Sequence, residues 1–521
     1  MSFQYLRDGE TCWRTARADA VSFLVDGADF FAAAKSAMLS AKHSIWLLAW
    51  TFDPLTRMQP DLIERSGDPE TPDRLGLLLA RTAALNPALD VRVLAWNMPW
   101  PIAAPGGFAH RRSQMYFHDT KVKYRLDSSL PASACHHQKV LVIDGRLAFV
   151  SGGDLSTDRW DTCGHEDADP RRRLPNLHRY PARHDVSVMV TGPAALECAQ
   201  LFADRWSNAG GGRLDIPEPD MTEETPWPRG VAPDMIRQRI ALVRTQPKWR
   251  DNPEIDEGLD LHLAVVMGAR KTLYIENQYL TAATVVEAIC RRLAEPDGPE
   301  VIAIGPAASP SFFDRMTMDS ARAAGILKLT AADVHGRFKA FNARTHAGKP
   351  IIVHSKVLIA DDDFLRIGSA NLNNRSGGLD TEVDLAMEAE PGEAGAEARE
   401  TIVTFRNLLI GHYVDRNLLE VEAAIAEAGG LIGAIELLDV AKPRRLCPVE
   451  CRTLSPIEKF VSDWSLGDPV SPSDAWRPWI RRRRLREQLA LIPAPRSPAP
   501  PPAADDPMPP VRARRTATPR T

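Results

Sequence analysis

Hydrophobic positions along the chain fall into two runs that repeat one order of elements. From Asp26 to Trp50, apolar residues at Phe30, Ala34, Met38 and Ala41 keep helical spacing, and Ile45-Trp46-Leu47-Leu48-Ala49-Trp50 then reads as a strand. Glu257 to Tyr279 repeats this, with Leu261, Val265, Met267 and Ala269 on the helix and Leu273-Tyr274-Ile275 as the strand. Each run adds a further apolar strand, Val91 to Trp96 and Val301 to Ile304, and then a continuous apolar segment, Val140 to Ile143 and Val357 to Ile359, of the kind buried on both faces. A return strand and a helix close each copy: Val186 to Val190 before Cys198 to Trp206, and Val383 to Met387 before Ala398 to Leu409. Helices interleaved with buried strands predict an α/β sandwich in tandem duplication, with a pseudo-twofold axis and a shared site at the interface.

Length and composition set the organisation. At 521 residues and 44% hydrophobic content the chain is too long for one ordinary core and apolar enough for two. The expected division is a first domain at 1–207, a linker at 208–250 carrying Gly210-Gly211-Gly212 and six prolines, a second domain at 251–420, a helical extension at 421–489, and a disordered Pro/Arg-rich tail at 490–521. The net charge of −4 supplies no global basic field, so no nucleic-acid partner is expected. Seven cysteines, an odd number scattered over a long chain, argue against a disulfide framework, and Cys447 with Cys451 lacks the second pair of a zinc motif. The N-terminus lacks the basic and apolar regions of a conventional secretory signal, and Ile45 to Phe52 is far too short to span a bilayer. The expected location is cytoplasmic or peripheral to a membrane, with signal-independent secretion as the alternative.

Chemistry concentrates where the apolar strands begin. The second copy reads His354-Ser355-Lys356, Asp361, Gly368-Ser369-Ala370-Asn371; six fixed identities at set spacing arise by chance on the order of 10⁻⁸ per starting position. The first copy opens identically with His137-Gln138-Lys139 and Asp144, then continues Ser151-Gly152-Gly153-Asp154. Residues i and i+2 of a strand share a face, so His and Lys of each copy project together. An imidazole serves as nucleophile or proton donor, and an ammonium stabilises phosphate charge in the transition state. Asp144 and Asp361 count with the catalytic constellation as third members of the motif, yet their odd offset from lysine takes them off the catalytic face toward the strand end. Asp185 and Glu382, at the starts of the return strands, are placed to hold the imidazoles in one tautomer. His136 points away from its neighbour His137 and reads as structural.

These paired motifs resemble those of the phospholipase D superfamily over roughly residues 20 to 415. Ile275-Glu276-Asn277-Gln278-Tyr279, Arg159-Trp160-Asp161-Thr162 with His165, and His184-Asp185 with Gly192-Pro193-Ala194 are similar to segments of its phosphatidylcholine-type branch. The resemblance implies hydrolysis of a glycerophospholipid to phosphatidic acid and the head-group alcohol, with possible transphosphatidylation, and no metal or cofactor. It implies that His137 attacks phosphorus and His354 protonates the leaving alcohol. Lys139, Lys356 and Asn371, with Ser369, would hold the phosphate, and Asp185 and Glu382 would orient the imidazoles. Asp154 stands where the family motif has asparagine, so the first copy is expected to contribute less to phosphate binding. Regulation through a calcium- or phosphoinositide-binding module ahead of residue 26 is not expected. A monomer in peripheral contact with a membrane is expected, its partner being the phospholipid surface. The alternatives are a cardiolipin synthase-type phosphatidyltransferase, a nuclease and an inactive lipid-binding protein. Trp476-Arg477-Pro478-Trp479-Ile480 and Arg481 to Arg484 read as a solvated basic helix with packed tryptophans, with docking on anionic lipid as the alternative.

Overall fold

The computed structural model describes residues 4–60, 73–99, 109–216, 224–309 and 311–494. Among these a 15-stranded sheet runs through the whole molecule. From its centre outward, the first half contributes Arg14–Val25, Val186–Thr191, Leu147–Ser151, Val140–Ile143, Ser44–Ala49, Asp90–Trp96 and Lys123–Asp127. The second contributes Met235–Thr245, Glu382–Glu388, Phe364–Gly368, Val357–Ala360, Thr272–Glu276, Glu300–Gly305 and Phe338–Ala343, with Leu446–Pro448 added at the rim. The same elements follow in the same order on both sides, and Arg14–Val25 lies antiparallel to Met235–Thr245 at the seam. The halves therefore form a pseudo-twofold α/β sandwich built on one sheet.

Alternation along the strands sorts the side chains into layers. Ile45, Leu47 and Ala49 face the outer core with Phe30 and Phe31 of the helix Asp26–Ser40. Trp46 and Leu48 face the inner core, where Trp46 stacks on Phe202 at 5.2 Å. In the second half Leu273 and Ile275 meet Leu261 and Val265 of the helix Glu257–Gly268 on the outer face, and Tyr274 turns inward. The helices Pro193–Trp206 and Ala396–Val414 share the inner core, so one apolar layer spans both halves.

Two segments depart from the expected organisation. Residues 235–245, expected within the linker, form a central strand; Ile240 and Leu242 enter the inner core while Ala241 and Val243 enter the outer one. Arg14–Val25, ahead of the first expected helix, is its partner at the seam. In the C-terminal extension the expected packed tryptophans are instead exposed, Trp476 at 80% and Trp479 at 62%. The buried position of that helix belongs to Arg481, whose guanidinium donates to the carbonyls of Trp464, Ser465, Asp474 and Ala475. The tail expected to be disordered lies, from residue 495, outside the described residues. All seven cysteines are free thiols, and no helix among the described residues is long and apolar enough to cross a membrane.

Candidate active site

Each His-x-Lys segment leaves the main sheet at the start of its apolar strand and pairs with the opposite half. Ile352–Val353 runs parallel to Arg183–His184, and the His354 amide donates to the His184 carbonyl at 2.8 Å. The first copy does the same: His136 bridges Thr381 in parallel, and the His137 amide donates to the Thr381 carbonyl at 3.0 Å. The next residue on each receiving segment is an acid, so the pairings cross. His137 Nδ1 lies 2.9 Å from Glu382 Oε2, and His354 Nδ1 lies 2.9 Å from Asp185 Oδ2. With Nδ1 committed to a carboxylate, each ring presents Nε2 for chemistry.

The two acids are held differently. Glu382 accepts hydrogen bonds from Ser369 Oγ at 2.6 Å and Ser376 Oγ at 2.7 Å. Asp185 packs against the bare backbone of Gly152 and Gly153, where any side chain would collide with its carboxylate. Ser369, expected at the phosphate, is thus committed to Glu382 and to the Val383 amide, because the strand end turns it toward the return strand. Asn371 keeps a buried amide oxygen with no hydrogen-bond partner among the described residues. Asp154 accepts the Trp50 amide at 2.8 Å through one oxygen and places the other 4.0 Å from Lys139 Nζ. The first copy therefore carries a countercharge for its lysine where the second carries a neutral amide.

Lys139 donates to the His137 carbonyl at 2.5 Å, and Lys356 donates to the His354 carbonyl, so both ammonium groups curl toward their own histidines. Burial, then the charges of Lys139 and Lys356, hold His137 well below the usual imidazole range. Burial, then Lys356, Arg183, Arg159 and Lys139, do the same to His354. Burial raises Glu382 to about 7 and lowers Lys356 to about 7 against the pull of Asp185. Lys139, Lys356, Arg159 and Arg183 bring their charges to bear on the two imidazoles, an arrangement suited to an anion bound beside them. A bell-shaped dependence of kcat/KM centred near pH 7 is expected: acid protonates the Glu382 carboxylate that supports His137, and alkali discharges the Lys356 ammonium. A flat profile from about pH 5.5 to 8.5 would contradict this assignment.

Asp144 and Asp361, counted with the catalytic constellation, belong elsewhere. Asp144 accepts the amides of Lys42, His43 and Ser44 at 3.0, 2.8 and 2.7 Å, and Asp361 accepts those of Arg270, Lys271 and Thr272 at 2.9, 2.6 and 2.9 Å. Each closes the corner between the helix and the strand that follows it in its own half, Ser44–Ala49 or Thr272–Glu276, about 16 Å along the strand from the motif lysine at about 3.3 Å per residue. Asp144→Ala or Asp361→Ala leaves three amide donors without their acceptor and is expected to cost about 3 kcal/mol in urea denaturation. The folded fraction should keep kcat/KM within about tenfold of the parent, since neither carboxylate reaches an imidazole.

Residues between the motif positions face the other way. Ser355 donates to Glu276 at 2.6 Å, and Glu276 also meets His184 Nε2 at 3.0 Å and Tyr274 Oη at 2.6 Å, so this glutamate is an interior support. Gln138 donates to the Glu382 carbonyl at 3.0 Å, and His136 contacts Asp127 at 3.0 Å, the structural position expected of it. The sequence reading assigned no role to Arg159 and Arg183, whose charges act on His354. It also missed Trp50, whose ring stands edge-on to His137 at 6.3 Å with Lys139 Nζ 6.0 Å from its centroid. Trp50 follows the strand Ser44–Ala49, whose antiparallel pairing with Val140–Ile143 brings that end beside the first motif.

Comparison with known proteins agrees with this geometry. A family model described as "Cardiolipin synthase, PLD-like domain" matches residues 263–408, which include the complete second motif. The chain is 25% identical over 440 residues to Phospholipase D A of Dictyostelium discoideum, covering 71% of this chain and 33% of the relative. It is 24% identical over 459 residues to Phospholipase D alpha 4 of Arabidopsis thaliana, covering 67% of this chain and 59% of the relative. It thus spans between a third and three fifths of the length of these two relatives. Among solved structures, the phosphatidylserine synthase of Haemophilus influenzae Rd KW20 aligns over 75% of this chain and 88% of its own, with 15% identity and a TM-score of 0.48. The duplicated half and the paired His-x-Lys segments agree with these matches: the chain is similar to proteins of the phospholipase D superfamily.

Proposed function

We propose that this protein is a phospholipase D that hydrolyses a glycerophospholipid to phosphatidic acid and the head-group alcohol, and that also transfers the phosphatidyl group to other alcohols. The observation that carries the reading is the crossed pair of acid-held imidazoles from opposite halves, with two buried lysines beside them. In the first step His137 Nε2 attacks phosphorus, the bond to the head-group oxygen breaks, and His354 delivers its proton to that oxygen. The phosphodiester charge favours the protonated form of His354 that this step needs. In the second, neutral His354 takes a proton from water or an alcohol, whose oxygen displaces His137 from phosphorus. Lys139, Lys356 and Asn371 bind the non-bridging oxygens, and Glu382 stabilises the charge that develops on His137.

The test is product analysis with phosphatidylcholine, phosphatidylethanolamine and phosphatidylglycerol, with and without glycerol. Phosphatidic acid as the main product supports the lipase. Products formed only with a lipid or glycerol acceptor would assign a phosphatidyltransferase, the reading favoured by the description of the matched family model. No phosphatidic acid and no transfer product would reject both.

Peripheral membrane contact is part of the proposal. Trp476 and Trp479 stand exposed beside Arg482, Arg483 and Arg486, an apolar and cationic combination suited to anionic lipid. Asp468 of the same extension accepts Thr281 Oγ1 at 2.9 Å and the Asn374 and Arg375 amides at 3.1 and 2.9 Å, tying this region to the loop that follows Asn371. Trp476→Ala with Trp479→Ala is expected to weaken binding to vesicles containing phosphatidylglycerol by about tenfold or more at low salt. Turnover of a monomeric short-chain substrate should be unchanged. Unaltered vesicle binding would remove this surface from the proposal.

A further inference from the structure

Behind the catalytic imidazoles, four side chains converge in the interior: Asp26, His165, His184 and His412. They come from separate parts of the fold: the start of the helix Asp26–Ser40, the loop after the first motif, the short strand Arg183–His184, and the last turn of Ala396–Val414 in the second half. One ligand atom from each lies within 4.8 Å of all the others. His165 Nε2 is 3.0 Å from His412 Nε2 and 3.6 Å from Asp26 Oδ2, and His412 Nε2 is 3.3 Å from Asp26 Oδ2. Ligands about 2.0–2.1 Å from a tetrahedral ion stand about 3.3–3.4 Å apart, the middle of that range. His184 Nδ1 approaches from the other side, 2.9 Å from Asp26 Oδ1.

A network of hydrogen bonds alone leaves this group incomplete. Asp26 Oδ2 is completely buried and accepts no hydrogen bond among the described residues, although its other oxygen is 2.9 Å from His184 Nδ1. A carboxylate oxygen left dry and unpaired is costly, and a cation between Asp26 Oδ2 and the imidazole nitrogens removes the cost. The outer nitrogens carry the supports typical of metal-bound imidazole: His165 Nδ1 lies 3.0 Å from Asp161 Oδ2 and His184 Nε2 lies 3.0 Å from Glu276 Oε2. Asp161 is itself held by Arg172 at 2.8 Å and by the Arg183 amide at 2.8 Å.

We propose that Asp26, His165, His184 and His412 form a closed structural site for a divalent transition metal, with zinc the ion best suited to three imidazoles and one carboxylate. Complete burial of Asp26, His165 and His184 leaves no open position for a reacting water, so the ion takes no part in the phosphodiester chemistry. Its effect is on position. The Asp26 amide donates to the Asp185 carbonyl at 2.8 Å and the Asp185 amide donates to Asp26 Oδ1 at 3.2 Å, so the ion anchors the acid that holds His354. Through His412 it also fastens the second half to the first.

The experiment is elemental analysis of the full-length protein after equilibration with zinc and gel filtration, together with the visible spectrum of the cobalt-substituted form. About one zinc per chain is expected, with the d–d bands of a tetrahedral nitrogen and oxygen site. His165→Ala and His412→Ala should lose the metal, whereas His137→Ala and His354→Ala should keep it. Removing the ion from the parent protein with a chelator should lower Tm, and zinc should restore it. A parent protein that binds less than about a tenth of an equivalent and shows no cobalt bands overturns the proposal without recourse to any variant. Metal lost from the His137 and His354 variants but retained in the His165 and His412 variants overturns it too, by moving the ion to the catalytic histidines.

Discussion

His137→Ala is expected to lower turnover by at least about 10⁴-fold, and His354→Ala by about 10²–10⁴-fold on substrates with an alcohol head group. The difference follows from what each ring does. His137 supplies the only electron pair proposed to reach phosphorus, and no neighbouring side chain offers a substitute, because the lysines are bound to carbonyls and the acids to imidazoles. His354 moves protons, and the need for that depends on the leaving group. A p-nitrophenyl phosphodiester leaves as a stable anion, so His354→Ala should release about one equivalent of nitrophenolate in a burst and then stall as the phosphohistidine. His137→Ala should show no burst. The opposite pattern would exchange the two roles, and full turnover by both variants would sink the mechanism.

Glu382→Gln and Asp185→Asn are each expected to lower turnover by about 10²–10⁴-fold while leaving the fold intact, the size of effect seen when a tautomer-fixing carboxylate becomes an amide. The volumes match, so the loss is electrostatic: an amide does not stabilise positive charge on the ring and can hold it in the wrong tautomer. The crossed pairing gives the two variants separable signatures. Glu382 touches His137, so Glu382→Gln should slow the nitrophenolate burst itself. Asp185 touches His354, so Asp185→Asn should spare that burst and impair both the step after it and turnover of alcohol-leaving substrates. Had each acid served the histidine of its own half, the two results would be reversed. Ser369→Ala and Ser376→Ala each remove one hydrogen bond from Glu382 and belong to the same series, with losses of about tenfold.

Much of this protein was legible in its sequence, for local reasons. Apolar periods of two and 3.6 residues mark strands and helices wherever one face or both are buried, which is why the duplicated order from Phe30 to Trp50 and from Leu261 to Ile275 was visible. The His-x-Lys spacing is equally local, since residues two apart on an extended segment project together. The odd offset of Asp144 and Asp361 carried real information: both turn away to the strand end. The seam was less visible. Arg14–Val25 mixes charged and small residues at its start, Met235–Thr245 carries Arg237, Gln238 and Arg239 in succession, and prolines flank the second, so turn signals outweighed strand signals where pairing between the halves stabilises them.

What the sequence determined by itself was the inventory: two copies of an α/β half, two histidines, two lysines and two acids at matching positions. Which acid serves which histidine was decided only in three dimensions. Glu382 is 245 residues from His137, and Asp185 is 169 from His354. No local periodicity reaches that far. The pairing arises because each His-x-Lys segment leaves its own sheet and runs parallel to the backbone of the other half, which places the next residue's carboxylate on the imported imidazole. The gathering of Asp26, His165, His184 and His412 has the same origin: backbone pairing and helix packing across the shared inner core fix positions that spacing along the chain does not encode.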